Sequence, residues 1–587
     1  MHKALLRALK LLSPAERNRA ILLLGIMVIG MALEVAGVGL VIPVVALLTQ
    51  QNPIESYPAL KTALDYFGQP DQETLIVGAL LALLGVYLIK NVYLGIMVWR
   101  QTQFSFNLQA ELSQRLFTIY LRQPYTFHLQ RNSAHLIRNV QSEVNIFTAY
   151  VVLPAMHLVA ESMVLLGLCA LLVIVEPLGT LVVMMVLGIA AWGFSKTSKK
   201  HTSRWGQARQ YHDGMRMQQL HQGLGGAKDV KLMGREGDFL NQYRIHNIES
   251  ARVNQYQSTM QQLPRLWLEV LGVAGLVTLV LIMLFQGREI ATILPTLGLF
   301  AAAAFRLMPS VNRMLGSVQS LRYGMPVIDT LNEELNLDVP VILKKVSSNI
   351  SEFQNNIILD GVAFTYSGSR DPAIKNISIM INKGESIGLV GKSGSGKSTL
   401  VDIVLGLLLP DSGVVAIDGH DIHENLRAWQ DQIGYVPQSI YLTDDSFRRN
   451  VAFGLPDDQI DNVAVKRAVQ AAQLEKFVSS LPDGIETIVG ERGIRLSGGQ
   501  RQRIGIARAL YHDPNVLVLD EATSALDTAT ENGVMHAVMA LQGEKTIIIV
   551  AHRLSTVEHC DRLYRLEQGK VIEQGAPSEI IPVIKAT

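Results

Sequence analysis

The sequence predicts an all-α membrane domain with six spanning helices, fused to a soluble α/β domain built around a phosphate-binding loop. Three observations lead to this fold class. The 587 residues are 49% hydrophobic and 18% charged, with a mean hydropathy of +0.23, whereas soluble proteins average about 25% charged residues. The excess of apolar residues ends at about residue 320. Beyond about residue 357, short strand-like runs alternate with helical ones, which is typical of α/β layering.

The charge balance and the cysteines exclude two classes of protein. The net charge is +1, from 52 basic and 51 acidic residues, which excludes a nucleic-acid binder that relies on bulk positive charge. The two cysteines, Cys169 and Cys560, lie far apart in different kinds of sequence. They exclude a disulfide framework and permit a reducing compartment.

Six apolar segments are long enough to cross about 30 Å of hydrocarbon. They lie near Ala20–Thr49, Thr74–Trp99, Val151–Glu176, Pro177–Ser195, Leu263–Gln286 and Glu289–Leu315. Lysine and arginine cluster before the first segment, after the second and after the fourth, whereas the opposite side carries only Lys61 and Arg288. The positive-inside rule therefore predicts that both termini and the soluble domain face the cytoplasm.

The remaining N-terminal stretches are predicted to be helical. Residues 1–18 resemble a basic helix lying on the inner membrane surface more than a cleaved signal peptide. Helical spacing of apolar residues within Gln50–Gln72 predicts a short helix on the outer side. The six-helix domain spans 19–330, with cytoplasmic extensions that turn near Pro124–Gln130 and Gln222–Val230. A linker, 331–350, leads to the soluble domain, 351–587.

A predicted buried strand, Ser386–Val390, leads into the segment Gly391–Ser398, which has the pattern GxxxxGKS. We call this segment the phosphate loop. Its glycines let backbone N–H groups point at phosphate oxygens, and the following helix adds its positive end. Lys397 would reach the β- and γ-phosphates, and Ser398 would bind Mg²⁺. The predicted nucleotide contacts of this segment are Gly391, Ser393, Gly394, Gly396, Lys397, Ser398 and Thr399.

Two further segments complete the predicted phosphate chemistry. The buried strand Val516–Leu519 ends in Asp520, placed to hold Mg²⁺ indirectly, and Glu521, placed to polarise the attacking water as a general base. The sequence LSGGQ begins another helix, and a hydroxyl with two glycines at a helix start favours anion binding. Its predicted nucleotide contacts are Ser497, Gly498, Gly499 and Gln500.

Together these motifs resemble the ATP-binding cassette (ABC) family over the whole soluble part. In that family the phosphate loop of one domain and the LSGGQ of another enclose one ATP. The resemblance implies that Tyr366 stacks on adenine, that Gln438 senses and binds Mg²⁺, that Asp527 lies in a loop crossing the dimer, and that His552 contacts the γ-phosphate. Residues 490–493 resemble a loop of the exporter branch.

Six membrane segments followed by one cassette resemble an exporter half-transporter, an ATPase that couples hydrolysis to transport. One chain carries one phosphate loop and one LSGGQ, so a complete ATP site needs two chains. A homodimer is the simplest solution, and a heterodimer with a related chain stays open. The turns near Pro124–Gln130 and Gln222–Val230 occupy the places of the family's coupling helices.

Ionisable residues at membrane depth indicate what kind of substrate is transported. Lys90, Arg265 and Arg306 are predicted at the level of the inner leaflet. If they face the dimer cavity, they suit a phosphate or pyrophosphate headgroup; the alternative is that they extend to the inner headgroups. Three membrane acids are expected to pair with a cation or a polar helix contact: Glu34, Glu161 and Glu269.

The membrane half resembles the PglK-type flippases of lipid-linked oligosaccharides. The resemblance rests on residues 33–37, on residues 305–309, on the short outer helix and on the cassette run 497–514. It implies outward movement of a polyprenyl-pyrophosphate-linked glycan across the bacterial inner membrane. The alternative is a lipid A or multidrug exporter. Six spans exclude a soluble cassette ATPase, and intact catalytic positions favour pumping over a gated channel.

Overall fold

The structure, a computed structural model, describes residues 2–41, 43, 44, 47, 72–175, 177–285, 290–338, 353–490, 493–522, 528–551 and 553–586. It divides into two compact units, Met1–Arg122 with Arg131–Val339 and Gln123–Gln130 with Pro340–Thr587. The outer helix predicted within Gln50–Gln72 lies outside the described residues except at its last position. Most of the predicted linker also lies outside them.

The first unit consists of helices, four of which run for 46 to 50 residues. A helix needs only about 20 residues to cross a bilayer, so these helices have the length for the predicted cytoplasmic extensions. In chain order the helices are α1 (His2–Leu11), α2 (Pro14–Gly39), α3 (Gln72–Leu121), α4 (Tyr125–Gln130, grouped with the second unit), α5 (133–175), α6 (Pro177–Gly225), α7 (Ala227–Leu232), α8 (Glu236–Phe285) and α9 (Ile290–Leu335).

Two local features shape these helices. Helix α2 begins at a capping box, in which the Ser13 side chain accepts from the Glu16 backbone and the Glu16 side chain accepts from the Ser13 backbone. Helix α5 is continuous but contains two π-helical turns, Asn139–Glu143 and Thr148–Val152. Such turns insert an extra residue into the helix and shift the faces on either side.

Among the residues that the structure describes, four helices are long and apolar enough to cross a membrane: Pro14–Gly39, Glu73–Leu121, Ser133–Ile174 and Glu236–Phe285. They carry the first, second, third and fifth predicted segments. The fourth and sixth predicted segments fall on α6 and α9, where several side chains lie outside the described set.

The second unit is an α/β domain with two sheets. The strands are β1 (Asn356–Phe364), β2 (Ile374–Asn382), β3 (Ser386–Val390), β4 (Ser412–Ile417), β5 (His420–Asp421), β6 (Ile433–Val436), β7 (Val516–Asp520), β8 (Thr546–Val550), β9 (Arg562–Glu567) and β10 (Lys570–Gly575). One sheet has the order β10-β9-β3-β8-β7-β6, in which β9, β3, β8, β7 and β6 are parallel and β10 is antiparallel. The other sheet has the antiparallel order β2-β1-β4-β5.

Helices cover this sheet and complete the core. They are α10 (Lys397–Val404), α11 (Leu426–Gln430), α12 (Phe447–Val451), α13 (Asn462–Ala471), α14 (Glu475–Ser479), α15 (Gly498–Leu510), α16 (Thr528–Met539) and α17 (Pro577–Ala586). Strands β3, β7 and β8 are buried at every position. Because these strands are parallel, their carboxyl ends meet at one edge of the sheet, which is where an open α/β sheet binds its ligands.

Candidate functional site

The phosphate loop leaves β3 through backbone conformations that only glycine supports well. Gly391 has φ 152°, and a Cβ there would lie 2.2 Å from the carbonyl oxygen of Leu566. Gly396, which caps α10, has φ 103°, and its Cβ would lie 2.8 Å from the carbonyl oxygen of Ala373. The two glycines therefore let the loop wrap closely against the neighbouring backbone.

Lys397 points back into the curve of this loop. Its side chain is buried, and its Nζ donates to the carbonyl oxygens of Gly391 at 2.8 Å and Lys392 at 3.2 Å. Burial lowers the pKa of the Lys397 ammonium, and the carboxylates of Glu521 and Asp520 oppose that shift. Both hydrogen bonds go to neutral carbonyls, so an anion in the loop would supply a stronger, charge-assisted partner.

Asp520 ends β7 beside the loop and is buried. Burial, with the negative charge of Glu521, raises the pKa of Asp520, and hydrogen bonds with Ser398 and Tyr435 oppose that shift. Within the part of the chain that the structure describes, Asp520 Oδ1 and Ser395 Oγ have no hydrogen-bond partner. Buried polar atoms without partners are uncommon, and these two fit a site that receives a phosphate group and Mg²⁺.

The structure brings the predicted general base and the predicted Mg²⁺ sensor together. Gln438 donates from Nε2 to Oε2 of Glu521 at 2.6 Å. Glu521 adopts a left-handed conformation with φ 48°, while its backbone N–H donates to Val550 at 3.0 Å. A non-glycine residue in this region carries a cost of about 1–2 kcal/mol. This turn directs the carboxylate away from the strand and towards Gln438.

Tyr366 lies next to the helix that follows the phosphate loop. Its hydroxyl and that of Thr399 are 3.1 Å apart, and its ring packs edge-on against Phe364 with centroids 5.0 Å apart. The side chain is 36% exposed. A partly exposed ring fixed at its hydroxyl end leaves ring surface on which a base can stack.

The LSGGQ segment forms the start of α15. Ser497 Oγ accepts from the Gln500 backbone at 3.2 Å, and the Ser497 backbone donates to Gln500 Oε1 at 2.8 Å. Each side chain thus accepts from the backbone N–H of the other residue, which is a capping box. Gly498 and Gly499 occupy the first turn without side chains, so an anion can approach the helix start closely.

Besides Ser395, which was not among the predicted contacts of the phosphate loop, sequence reasoning missed two groups near Asp520. Asp402 lies on α10, one turn after Ser398, and burial with the charge of Asp520 raises the pKa of Asp402 to about 6. Tyr435 on β6 reaches Asp520 from the adjacent strand. The acid at position 402 in an otherwise apolar stretch of helix was a visible signal, whereas the Tyr435 contact depends on the strand order. The predicted Asp527 and His552 lie outside the described residues.

The structure confirms that the three membrane acids pair with cations. Glu34 lies 3.4 Å from Lys90, Glu161 lies 2.5 Å from Arg313, and Glu269 lies 3.1 Å from Arg265. Sequence reasoning missed Arg313 because it falls near the end of the sixth segment.

Lys90 is placed differently from both alternatives weighed for it. It is buried, with its Nζ 4.1 Å from the ring centroid of Tyr87, so Glu34 compensates its charge inside the helix packing. A headgroup could reach Lys90 only if this pair opened. Arg265, by contrast, is an exposed cation on α8. Arg306 lies on α9, but its side chain is outside the described set.

Comparisons with known proteins match both units. The model of the ABC transporter family matches residues 374–524, and that of the ABC transporter transmembrane region matches residues 45–285. An ATP-dependent lipid A-core flippase of Cupriavidus pinatubonensis is 32% identical over 85% of this chain and 84% of its own length. A protein of the same description from Vibrio vulnificus is 28% identical over 92% of this chain and 93% of its own.

A solved structure of a bacterial Atm1-family ABC exporter with ATP bound has the same fold, with a TM-score of 0.79. It covers 97% of both chains at 21% sequence identity. The helical first unit and the α/β second unit therefore have a known precedent as one polypeptide.

Proposed function

The chain belongs to the ABC transporter family, as an exporter half-transporter that couples ATP hydrolysis to transport, and we propose that it moves an anionic lipid of the lipid A-core class from the inner to the outer leaflet. The observation that carries this proposal is the similarity to lipid A-core flippases over 85% of the chain. It favours the alternative cargo over the lipid-linked oligosaccharide, which remains the second candidate because of the resemblances in residues 33–37 and 305–309.

The proposed roles in ATP hydrolysis follow from the geometry of the phosphate loop. Backbone N–H groups of Gly391–Ser398 and the Lys397 ammonium hold the phosphates. Ser398 and Gln438 would bind Mg²⁺, with Asp520 holding it indirectly; the ion supplies charge neutralisation at the phosphate oxygens. Glu521, already oriented by Gln438 at 2.6 Å, polarises the attacking water.

We further propose that two copies of the chain form the working transporter. The capping hydrogen bonds between Ser497 and Gln500 fix the start of α15 within the chain, and this preformed helix start would close over a nucleotide held by a partner's phosphate loop. Asp527 would contribute at that interface, and His552 would contact the γ-phosphate. The grouping of Gln123–Gln130 with the cassette supports the first predicted coupling turn.

The proposed location is the bacterial inner membrane, with both termini and the cassette in the cytoplasm. The support is the one-sided distribution of lysine and arginine. In that orientation Arg265 and Arg306 lie near the inner leaflet, where a lipid headgroup enters, and they are the proposed first contacts for its phosphates.

Reconstitution tests the proposal directly. The full chain is placed in liposomes with either lipid A or a polyprenyl-pyrophosphate oligosaccharide, and translocation is measured with and without ATP, with Glu521→Gln as the inactive control. We expect ATP-dependent movement of lipid A. Movement of the oligosaccharide lipid alone would replace the first candidate with the second, and movement of neither would refute both.

A further inference from the structure

The first turn of α16 carries a buried acid to which the proposed mechanism assigns no role. Glu531 is 6% exposed. Its Oε2 accepts from Arg553 Nη1 at 2.6 Å, and its Oε1 accepts from Thr556 Oγ1 at 3.3 Å. A carboxylate is costly to bury unless a cation and hydrogen bonds compensate it. Both oxygens of Glu531 therefore contact one short segment of the chain, which follows β8.

This segment starts at the edge of the sheet where the predicted catalytic residues lie. The backbone N–H of Ala551 donates to the carbonyl oxygen of Leu389 in β3 at 3.2 Å, and the carbonyl oxygen of Val550 accepts from the backbone N–H of Glu521 at 3.0 Å. The chain thus leaves β8 between the strand that enters the phosphate loop and the strand that precedes the predicted general base. The next residue in sequence is His552, which lies outside the described residues.

The segment after β8 is held at both ends. Leu554–Thr556 forms a single turn of 3-10 helix, and such a turn has weak internal hydrogen bonding. Val557, which follows the turn, is fully buried in the same core as Val534 of α16. Packing therefore fixes the end of the segment, whereas Glu531 fixes its beginning through Arg553.

Helix α16 also lies close to the helix that begins at LSGGQ. A Cβ added at Gly533 would lie 2.8 Å from Nη2 of Arg503 on α15. Arg503 Nη1 in turn donates to the carbonyl oxygen of Gln473 at 3.4 Å. Helix α16 therefore contacts α15 on one side and the segment after β8 on another, and both of these parts have predicted contacts with ATP.

We propose that Glu531 is a positioning residue for ATP hydrolysis: it holds Arg553 and Thr556, and thereby fixes the turn in which His552 is predicted to contact the γ-phosphate. The inference rests on the proposed function and adds a residue to which that function assigns neither ATP nor Mg²⁺. Because the planar fork of an arginine matches a carboxylate in direction as well as distance, the pair orients the turn. Without the pair, the turn would move while the phosphate loop still bound the nucleotide.

A matched ion pair elsewhere in the cassette separates positioning from stability. Glu385 accepts from Arg562 Nε and Nη2, each at 2.9 Å. Its side chain is 13% exposed, against 8% for that of Glu531. Glu385 directly precedes β3 and Arg562 begins β9, so this pair lies at the opposite edge of the sheet from the phosphate loop. Glu531→Gln and Glu385→Gln each remove one mostly buried negative charge.

The full chain in phosphatidylcholine nanodiscs is assayed for kcat, KM for ATP and thermal unfolding. We expect Glu531→Gln to lower kcat about tenfold, the equivalent of one charge-assisted hydrogen bond. Its KM should stay within about twofold of wild type, because the lost contact acts in the transition state. Glu385→Gln should keep the wild-type kcat, although both variants unfold at similarly lowered temperatures.

Two results would count against different claims. A kcat of Glu531→Gln equal to that of Glu385→Gln would overturn this inference and leave the proposed function intact. A wild-type protein that hydrolyses no ATP would instead refute the proposed function, and the inference would fall with it.

A double-mutant cycle tests whether Glu531 acts through Arg553. Arg553→Gln removes the same pair from its other side, so the variant that carries both changes should be no slower than Arg553→Gln alone. Independent residues would instead give losses of kcat that multiply, and that result would overturn the proposal.

A wild-type measurement covers the case in which the variants fail to fold. Hydrogen exchange is followed in peptides that cover 528–539, 546–559 and 380–388, before and after addition of Mg²⁺ with the slowly hydrolysed analogue adenylyl imidodiphosphate. We expect exchange to slow in the first two peptides together, because Glu531 joins them, and to stay unchanged in the third, which contains the control acid. Slowing in 546–559 without slowing in 528–539, or in neither, would overturn the proposal.

Discussion

The cassette and the membrane helices use charge in opposite ways. Among the described residues of the cassette, Lys397 donates hydrogen bonds to the neutral carbonyls of Gly391 and Lys392, and the buried Asp520 Oδ1 has no hydrogen-bond partner. In the membrane helices, Glu34, Glu161 and Glu269 each have a cation within 3.4 Å. The difference indicates where chemistry takes place: the cassette keeps a buried carboxylate oxygen available for a substrate, whereas these three membrane acids are each compensated by a cation.

The largest expected effect comes from removing the cassette's general base. Glu521→Gln keeps the size of the side chain but removes the negative charge that polarises water, so ATP turnover should fall about 10²–10⁴-fold. ATP binding, measured with a fluorescent analogue, should persist because the phosphate loop is intact. The control is Glu475→Gln, which changes an exposed glutamate on α14. Turnover of Glu521→Gln equal to that of the control would reject the assignment.

The next test breaks a compensated pair in the membrane unit. Lys90→Met leaves the buried carboxylate of Glu34 without its cation at 3.4 Å, and breaking a buried pair costs about 3–5 kcal/mol. Arg265→Gln breaks the exposed pair with Glu269, which should cost at most about 1 kcal/mol. Thermal unfolding in detergent measures both. A comparable loss in the two variants would show that burial does not distinguish these pairs.

A third prediction returns to the backbone of the cassette. Gly391→Ala drives a Cβ to 2.2 Å from Leu566, and relieving that overlap should weaken ATP binding about a hundredfold, or roughly 2.7 kcal/mol. Gly419→Ala is the matched control, because Gly419 also has a positive φ of 85° but an added Cβ there meets nothing within 4 Å. If both variants bind ATP alike, the close approach at Gly391 is not what shapes the loop.

The same contrast explains what the sequence could predict. The phosphate loop and LSGGQ are each a short unbroken stretch of sequence, so their glycines and helix caps can be recognised from neighbouring residues alone. The fold class and the loop at Gly391 therefore follow from the sequence. The membrane pairs join residues far apart, such as Glu161 and Arg313, so pairing could be expected but the partner could not. The contact between Tyr435 and Asp520 likewise depends on β6 lying next to β7, which no local pattern encodes.

The smallest expected effect concerns Asp402, which the motif comparison did not single out. Because burial and Asp520 raise its pKa to about 6 from the usual 3.8, the nucleotide-free folded cassette binds more protons than the unfolded chain between about pH 4 and 6. The free energy of unfolding should therefore fall as pH rises through that window, by at most about 2 kcal/mol after allowance for partial exposure. Hydrogen exchange of α10 peptides in the full chain, corrected for intrinsic rates, measures this slope. Asp402→Asn should reduce this slope and leave the part that comes from Asp520, whose pKa is also raised. An unchanged slope in that variant would mean that Asp402 does not carry it.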